Sequence, residues 1–466
     1  MTSVPNHLPL LNGNKVFIAV LICLTALLLP ACNSIKKIKS KPSPPRSEGE
    51  RTVPSEKDRP MKVDTMIWTR DDKAELPTAP NQPEVKESDI IPGKKDLYKV
   101  GVLIPLYSAS GESVSQNENL RRMLHFVLGM ELAAARKGKG TPEVIFEIID
   151  VEHYSNRIQS LVNKDSLGKY DIIIGPYKTS DLQAVSRFSD RYKIPLISPW
   201  NASSTITDNN PKYVQIKPGL KMHAEKISDH IAKTYPQADV CLIAKSGHTR
   251  EIESMDFFYN SPAFKSRSYN LRNLQKSIIV EDDQGFDEEI RSLLRGDSRK
   301  IFILPYYTNW DFVSKFLNRL NRLKREDQNV MVYGLPQLVE SGKIDFKYFD
   351  ELNIHISYFN YTDPSDPEVA RFNRQFVESY GDRPLEDAYL GYDLATWISY
   401  SLKQYGPDFI QKSAYADYRQ GLFNNIELMP VYGGNAPKDD FSNFIYSENK
   451  SLKIVKYSNS KFQPVE

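Results

Sequence analysis

The sequence predicts an α/β protein in which two successive sets of alternating strands and helices each build a sheet. Three observations carry this reading. Residues 171–199 read as strand, polar loop, helix, strand. The same alternation extends from residue 97 as β, α, β, α, β, α, β, the doubly wound pattern. A second α/β set begins at residue 238.

The 171–199 stretch is the clearest unit. Ile172, Ile173 and Ile174 form a short β-branched run closed by Gly175-Pro176, which reads as a buried strand. Thr179 or Ser180 can cap the helix that follows, in which Leu182, Val185 and Phe188 recur at helical spacing. Pro195 ends that helix, and Leu196-Ile197 open the next strand. Ligands of open α/β sheets gather at the carboxyl ends of the strands, so the loop after Ile174 is the first candidate site.

On its N-terminal side, 97–105 is the first strand and 107–112 a polar loop. Leu120, Met123, Leu124, Val127, Leu128, Leu132 and Ala135 then share one helical face. A strand at 144–151 and a helix over 158–162 complete the approach, and 201–217 leaves as a polar loop and an extended segment. In the second set the predicted strands are 239–244, 277–280, 301–305, 330–333 and 353–359. Helices are expected at 286–294 and 309–323, the latter with Trp310, Val313, Leu317 and Leu320 in register. Two more follow at 367–380 and 384–405, with Gly381 at a helix end and Pro384 in a first turn. The second is apolar nearly all round, which predicts packing on several sides. The tail, 428–457, reads as two or three short strands.

Composition excludes several classes. Sixty-one basic against 59 acidic residues leave a net charge of +2 and imply no strongly basic face, so nucleic acid is not an expected partner. The seven histidines are scattered, and CxxC, HExxH, GxSxG and GxxxxGK[ST] are absent. No metal, cofactor or catalytic residue is therefore expected, and an enzyme is the least favoured class. Gly138-Lys139-Gly140 follows a helical run, not a strand, and reads as a helix terminus. Cys241 sits within a predicted strand as a small core residue.

The N-terminus carries a different message. Lys15 precedes fourteen apolar or small residues, 16–29, and then Pro30-Ala31-Cys32. A membrane-spanning helix needs ~20 residues, whereas this length suits a signal-peptide core. Leu29-Pro30-Ala31-Cys32 resembles the bacterial lipobox, apart from Pro30, and implies cleavage after residue 31 and lipidation of Cys32. The rival is an ordinary signal peptide with an incidental cysteine. Asn33, rather than Asp, follows the cysteine, which leans towards the outer membrane over the inner. Residues 32–96 are rich in Pro, Ser, Lys and Glu and read as a disordered tether, interrupted by Met66-Ile67-Trp68.

With the elements in order, 97–457 resembles the type I periplasmic solute-binding fold, closest to its leucine/amino-acid receptor branch. The residues that carry this are VGVLIPL, Asp150, DIIIGP, IPLISPWNASSTIT, YVQIKP, FVESYGDRP and LGYDLATWISYSL. The resemblance implies two lobes, each a mostly parallel sheet flanked by helices, closing on a ligand in a hinge-side cleft. Lobe 1 would be 97–219 and 361–427, and lobe 2 would be 220–360 with most of the 428–466 tail.

The resemblance also implies a ligand set. By position, the loop after the first strand offers Tyr107 and Ser108. The Gly-Pro loop offers Tyr177, Lys178, Thr179 and Ser180. The Ser-Pro loop offers Trp200, Asn201, Ala202 and Ser203. Exposed N–H groups at a helix start favour an anion, although Ser180 could equally serve as a cap alone. Tyr306 and Tyr307 match an aromatic placed against the ligand, with a core tyrosine as the rival reading. Gln337 stands where such receptors offer an acidic residue to an ammonium group, and Lys245-Ser-Gly-His-Thr249 lacks the expected aromatic-Gly pair. Two functions follow. One is a membrane-anchored receptor for a small amino-acid-like solute, working with an ABC permease or a sensor. The alternative is an outer-membrane lipoprotein of the peptidoglycan-synthase activator type, with a degenerate cleft and a cell-wall synthase as partner.

Overall fold

The computed structural model describes residues 95–107, 114, 117–136, 142–152, 156–266, 273–305, 307–359, 361–410, 421–422, 425–433, 443–459 and 461–465. Cys32, the tether as far as residue 94, Ser108, Tyr306 and Gly138-Lys139-Gly140 lie outside them.

The chain begins with β1 (Leu97–Ile104), α1 (Glu118–Ala134), β2 (Glu143–Asp150), α2 (Arg157–Asn163), β3 (Ile172–Ile174), α3 (Thr179–Tyr192), β4 (Leu196–Ser198) and β5 (Tyr213–Gln215). It continues with α4 (Leu220–Thr234), β6 (Asp239–Lys245), α5 (Thr249–Tyr259), α6 (Pro262–Lys265), β7 (Asn273–Ile279), α7 (Asp283–Leu293), β8 (Lys300–Ile303), α8 (Trp310–Leu323), β9 (Val330–Gly334), α9 (Gln337–Glu340), α10 (Lys347–Glu351) and β10 (Ile354–Tyr358). Next come α11 (Pro367–Tyr380) and α12 (Glu386–Tyr405), then β11 (Leu428–Tyr432), β12 (Phe444–Asn449), β13 (Lys453–Ser458) and β14 (Lys461–Pro464).

These strands form two seven-stranded sheets, ordered β11-β12-β5-β4-β3-β1-β2 and β14-β13-β10-β9-β8-β6-β7. In each, the five strands from β1 to β5 or from β6 to β10 are parallel. Helices on both faces explain why central strands such as Ile172–Ile174 are apolar at every position, all three residues being buried. The chain crosses between the sheets three times, after β5, after β10 and after β12. This is the two-lobe architecture the resemblance implied.

The tail departs from expectation. It is not mainly a lobe 2 element but divides between the lobes. β12 joins β5 in parallel and β11 closes that edge, whereas β13 pairs antiparallel with β10 and β14 follows it. Such short strands carry no signal of which distant edge they will meet. Helices α4, α5, α6, α9 and α10 also have no counterpart among the expected helices. In α4 the buried face includes His223, Ser228 and His230 among Met222, Ile227 and Ile231, and these polar residues hide the apolar period.

In lobe 1, α1 and α12 approach to backbone contact. A Cβ on Gly129 would fall 1.9 Å from the Ala388 carbonyl, and one on Gly391 would fall 2.1 Å from the Phe126 carbonyl. The two glycines face each other's helix, which lets α12 bury nearly its whole circumference. This fixes the first turn of α12 over the ends of β3 and β4, where the candidate site lies.

Candidate functional site in the interlobe cleft

The loop after β3 turns at Gly175, whose φ is +80° and whose Cβ would meet the Leu103 carbonyl at 2.4 Å, so a side chain is excluded there. The Gly175–Pro176 bond is cis. Helix α3 then starts at Thr179, with Lys178 in the N-cap position and no side chain bonded to the helix start. Neither Thr179 nor Ser180 is the cap. Lys178, Thr179 and Ser180 are exposed, so the α3 N-terminus presents its amide groups without a side-chain acceptor.

The strand-end loops are nevertheless bonded among themselves. Lys178 pairs with Glu152, and that hydrogen bond pushes its ammonium pKa up. Asn201 Nδ2 donates to Thr179 Oγ1 at 2.9 Å, and Asn201 Oδ1 accepts the Ser203 N–H at 2.8 Å. Ser203 and Thr205 share a hydroxyl hydrogen bond. Ala202 is half-buried, its carbonyl 3.1 Å from where a Cβ on Gly219 would stand. Asp150 accepts from the N–H groups of Leu106 and Glu152, tying the end of β2 to the chain leaving β1, and the half-buried Tyr107 follows with φ 51°.

Trp200 is held by a group from far along the chain. Its Nε1 donates to Asp387 Oδ1 at 3.0 Å, while Arg122 Nε donates to Asp387 Oδ2 at 2.8 Å. The Asp387 side chain is only 6% exposed, so its two partners offset the cost of burying its charge. The indole also packs against Phe126, with ring centroids 4.8 Å apart, and against Tyr177 at 5.9 Å.

Around these residues lies a cavity of about 120 Å³. Tyr177 and Trp200 bring to it the ends of β3 and β4; Arg122, Glu386 and Asp387 come from α1 and α12. Lys217 and Phe359 come from two interlobe crossings. At ~30 Å³ per water the space holds about four waters. It offers both signs of charge, Lys217 and Arg122 against Glu386 and Asp387.

Lobe 2 differs more from the expected set. Tyr307 is 6% exposed and its hydroxyl donates to the Ile243 carbonyl, so it stands within the packed core of this lobe, stacked beside Phe312. Gln337 is the half-buried first residue of α9 and does not line the cavity. A buried carboxylate stands elsewhere on the carboxyl edge of sheet 2. Glu251, in the first turn after β6, is 1% exposed. Its Oε1 accepts from the Thr308 N–H at 3.2 Å, and its Oε2 has no hydrogen-bond partner among the described residues.

Of the expected ligand set, Tyr177 and Trp200 line this cavity, whereas Tyr107, Lys178, Thr179, Ser180, Asn201, Ala202, Ser203, Tyr307 and Gln337 do not; Arg122, Lys217, Phe359, Glu386 and Asp387, outside that set, line it as well. One signal was available for two of them: Glu386-Asp387 is an acidic pair opening an otherwise apolar helix.

With this geometry in view, known proteins supply the context. The profile of the receptor family ligand binding region matches residues 139–426, more than half of the 466. The chain belongs to that family. Among solved structures, it is similar to a putative branched-chain amino acid ABC transporter from Rhodospirillum rubrum. The TM-score is 0.56 at 14% identity, over 79% of this chain and 100% of that one. An ABC-type branched-chain amino acid transporter from Rhodopseudomonas palustris gives a TM-score of 0.54 at 12% identity, over 79% of this chain and 96% of its own. A substrate-binding protein from Desulfitobacterium hafniense in complex with Leu gives 0.50 at 12% identity, over 79% and 100%. At these identities the likeness establishes the two-lobe fold. No curated protein matches the chain. Among the described residues no helix is long and apolar enough to cross a membrane.

Proposed function

We propose that the protein is an envelope receptor that binds a small amino-acid-like solute between its lobes and presents it to an ABC permease or a sensor. The observation that carries this reading is the cavity at Tyr177 and Trp200, whose lining includes both Lys217 and Glu386 around a space sized for a few heavy atoms. A zwitterion fits such a lining: its carboxylate meets Lys217 and its ammonium meets Glu386. The cavity is lined partly by interlobe crossings, so an occupant bears on the hinge, and closure would bring lobe 2 and Glu251 towards it. The work is binding, without covalent chemistry. Lipidation of Cys32 would hold the protein in the envelope facing the periplasm, the outer membrane being favoured by Asn33.

A second reading has its own support. Lys178, Thr179, Asn201 and Trp200 already have partners within the protein. Such a cleft suits an interaction module of the peptidoglycan-synthase activator type, reaching its partner on the 32–96 tether.

A thermal-shift screen over amino acids, short peptides and sugars separates the two, because a ligand of the folded state alone raises the melting temperature. A shift with at least one amino acid or peptide is expected. A flat screen, with a cell-wall synthase retained in a pull-down, would establish the second reading instead. For the anchor, Cys32→Ala should release the protein from membranes, and continued membrane association would refute lipidation there.

A further inference from the structure

The cavity takes Glu386 and Asp387 from the first turn of α12. Leu385 stands in the N-cap position of that helix, and no side chain bonds to the helix start. Helix α1 holds the turn instead. Arg121, Arg122 and His125, at i, i+1 and i+4, share one face of α1. Arg121 Nη2 donates to the Asp382 carboxylate at 2.8 and 3.1 Å, and Arg122 Nε donates to Asp387. His125 is 3% exposed, and the Leu385 N–H donates to its Nδ1 at 3.1 Å. Its Nε2 lies 3.3 Å from Asp382 Oδ2, and the Phe376 ring of α11 packs on it with centroids 5.2 Å apart.

These contacts fix the tautomer. A backbone N–H only donates, so Nδ1 is the accepting nitrogen and the single proton of the neutral ring stands on Nε2, towards Asp382. A second proton has only Nδ1 to go to. There it would meet the Leu385 N–H, donor against donor, and the two groups would have to part. Burial, the largest influence, lowers the His125 pKa from its ordinary 6.5 and outweighs Asp382 and Asp387, which favour the cation; Arg121 opposes it as well. The hydrogen bond from Arg121 in turn holds Asp382 below the usual carboxylate range, so that charge is present while the ring titrates. At neutral pH the ring is neutral and the Leu385 contact is intact.

We infer that His125 is a positioning residue that makes the cleft acid-sensitive: a proton on Nδ1 drives Leu385 away, and the first turn of α12 moves with it. Asp387 carries its bond from Trp200 along, and Glu386 shifts too. Release of the solute in acid follows, a consequence that rests on the receptor reading. Binding requires the neutral ring, so affinity is complete above pH ~6.5 and falls as pH drops through the lower value of the folded protein.

The test follows the indole N–H resonance of Trp200 in full-length protein labelled with ¹⁵N-tryptophan, from pH 7.5 to 4.5 without ligand. Trp200→Phe identifies that resonance among the four tryptophans. One transition with its midpoint below 6.5 is expected. It should vanish in His125→Asn, whose amide oxygen can still accept from Leu385 but does not titrate. Asp382→Asn, which removes a carboxylate favouring the cation, should move the midpoint to lower pH. An invariant Trp200 resonance, a transition that persists in His125→Asn, or a midpoint that Asp382→Asn raises would overturn the inference. For any amino acid that binds, affinity should fall at least about five-fold between pH 7.5 and 4.5, and at most about two-fold in His125→Asn; equal pH dependence in both proteins would also overturn it. A protein that binds no amino acid refutes the receptor reading alone, because the ligand-free Trp200 resonance still decides the role of His125.

Discussion

Trp200 and Asp387, 187 residues apart in the chain, share a 3.0 Å hydrogen bond that pins the loop after β4 to the first turn of α12. The same carboxylate takes Arg122 from α1, so three distant segments meet at one buried charge. Asp387→Ala takes from the Trp200 indole N–H its acceptor and from Arg122 its carboxylate partner. We expect a loss of ~2–3 kcal/mol, read as a lower urea midpoint, with Asp387→Asn costing less because its amide oxygen still accepts from Trp200. An Asp387→Ala protein as stable as the parent would show that the cluster holds nothing together.

The approach of α1 to α12 predicts a sign. In an ordinary helix Gly→Ala stabilises by ~1 kcal/mol. At Gly391 the added Cβ would fall 2.1 Å from the Phe126 carbonyl, forcing the helices apart. Gly391→Ala should therefore destabilise by ~2 kcal/mol, in the range of overpacking. A rise in melting temperature would contradict the close approach.

Tyr307→Phe separates a core role from a ligand role. Loss of the hydrogen bond to the Ile243 carbonyl should cost ~1 kcal/mol in unfolding free energy. Affinity for any ligand found in the screen should not change. A large affinity loss at unchanged stability would place Tyr307 at the ligand after all.

Acid should weaken the fold through two buried histidines. Burial holds His223 and His355 at about 4, below the ordinary 6.5. Both are neutral in the folded protein and bind protons more readily once unfolded. Their contribution is complete above pH ~6.5 and is lost as pH falls towards 4, by an amount on the order of 3 kcal/mol each. Urea midpoints in phosphate-free buffers should drop steadily between those limits, and His223→Gln should flatten the slope. An identical slope in the variant would remove His223 from the account.

Much of this fold was legible because parallel strands covered on both faces are uniformly apolar, as in Ile172–Ile174, and because α8 and α11 repeat at helical spacing. Helix α11 was placed with the bounds it has, 367–380. What escaped has physical causes. Helix α4 turns His223, Ser228 and His230 inwards, and His223 is satisfied there by Ser357 of β10, a partner 134 residues away. The tail strands have short, unremarkable sequences, and only the edges left open by β5 and β10 determine where they join. At the cavity, position after a strand end points to Tyr177 and Trp200, but equally to Lys178, Thr179, Asn201 and Ser203, which do not line it. Arg122, Asp387 and Lys217 come from a helix face, a helix start and a crossing, and only the folded chain brings them together. Tyr307 has the right place in the order of elements, but its side chain turns into lobe 2 because an acceptor lies inside.

Binding of a small zwitterion in the cavity lined by Lys217 and Glu386, with closure of the lobes on it, is the step on which the proposed function depends. Calorimetric titration of the purified protein with the protein amino acids tests it most directly. At least one is expected to bind with a negative heat-capacity change, and Glu386→Gln to weaken it at least about ten-fold. No binding heat from any amino acid, or binding that Glu386→Gln leaves unchanged, would contradict it.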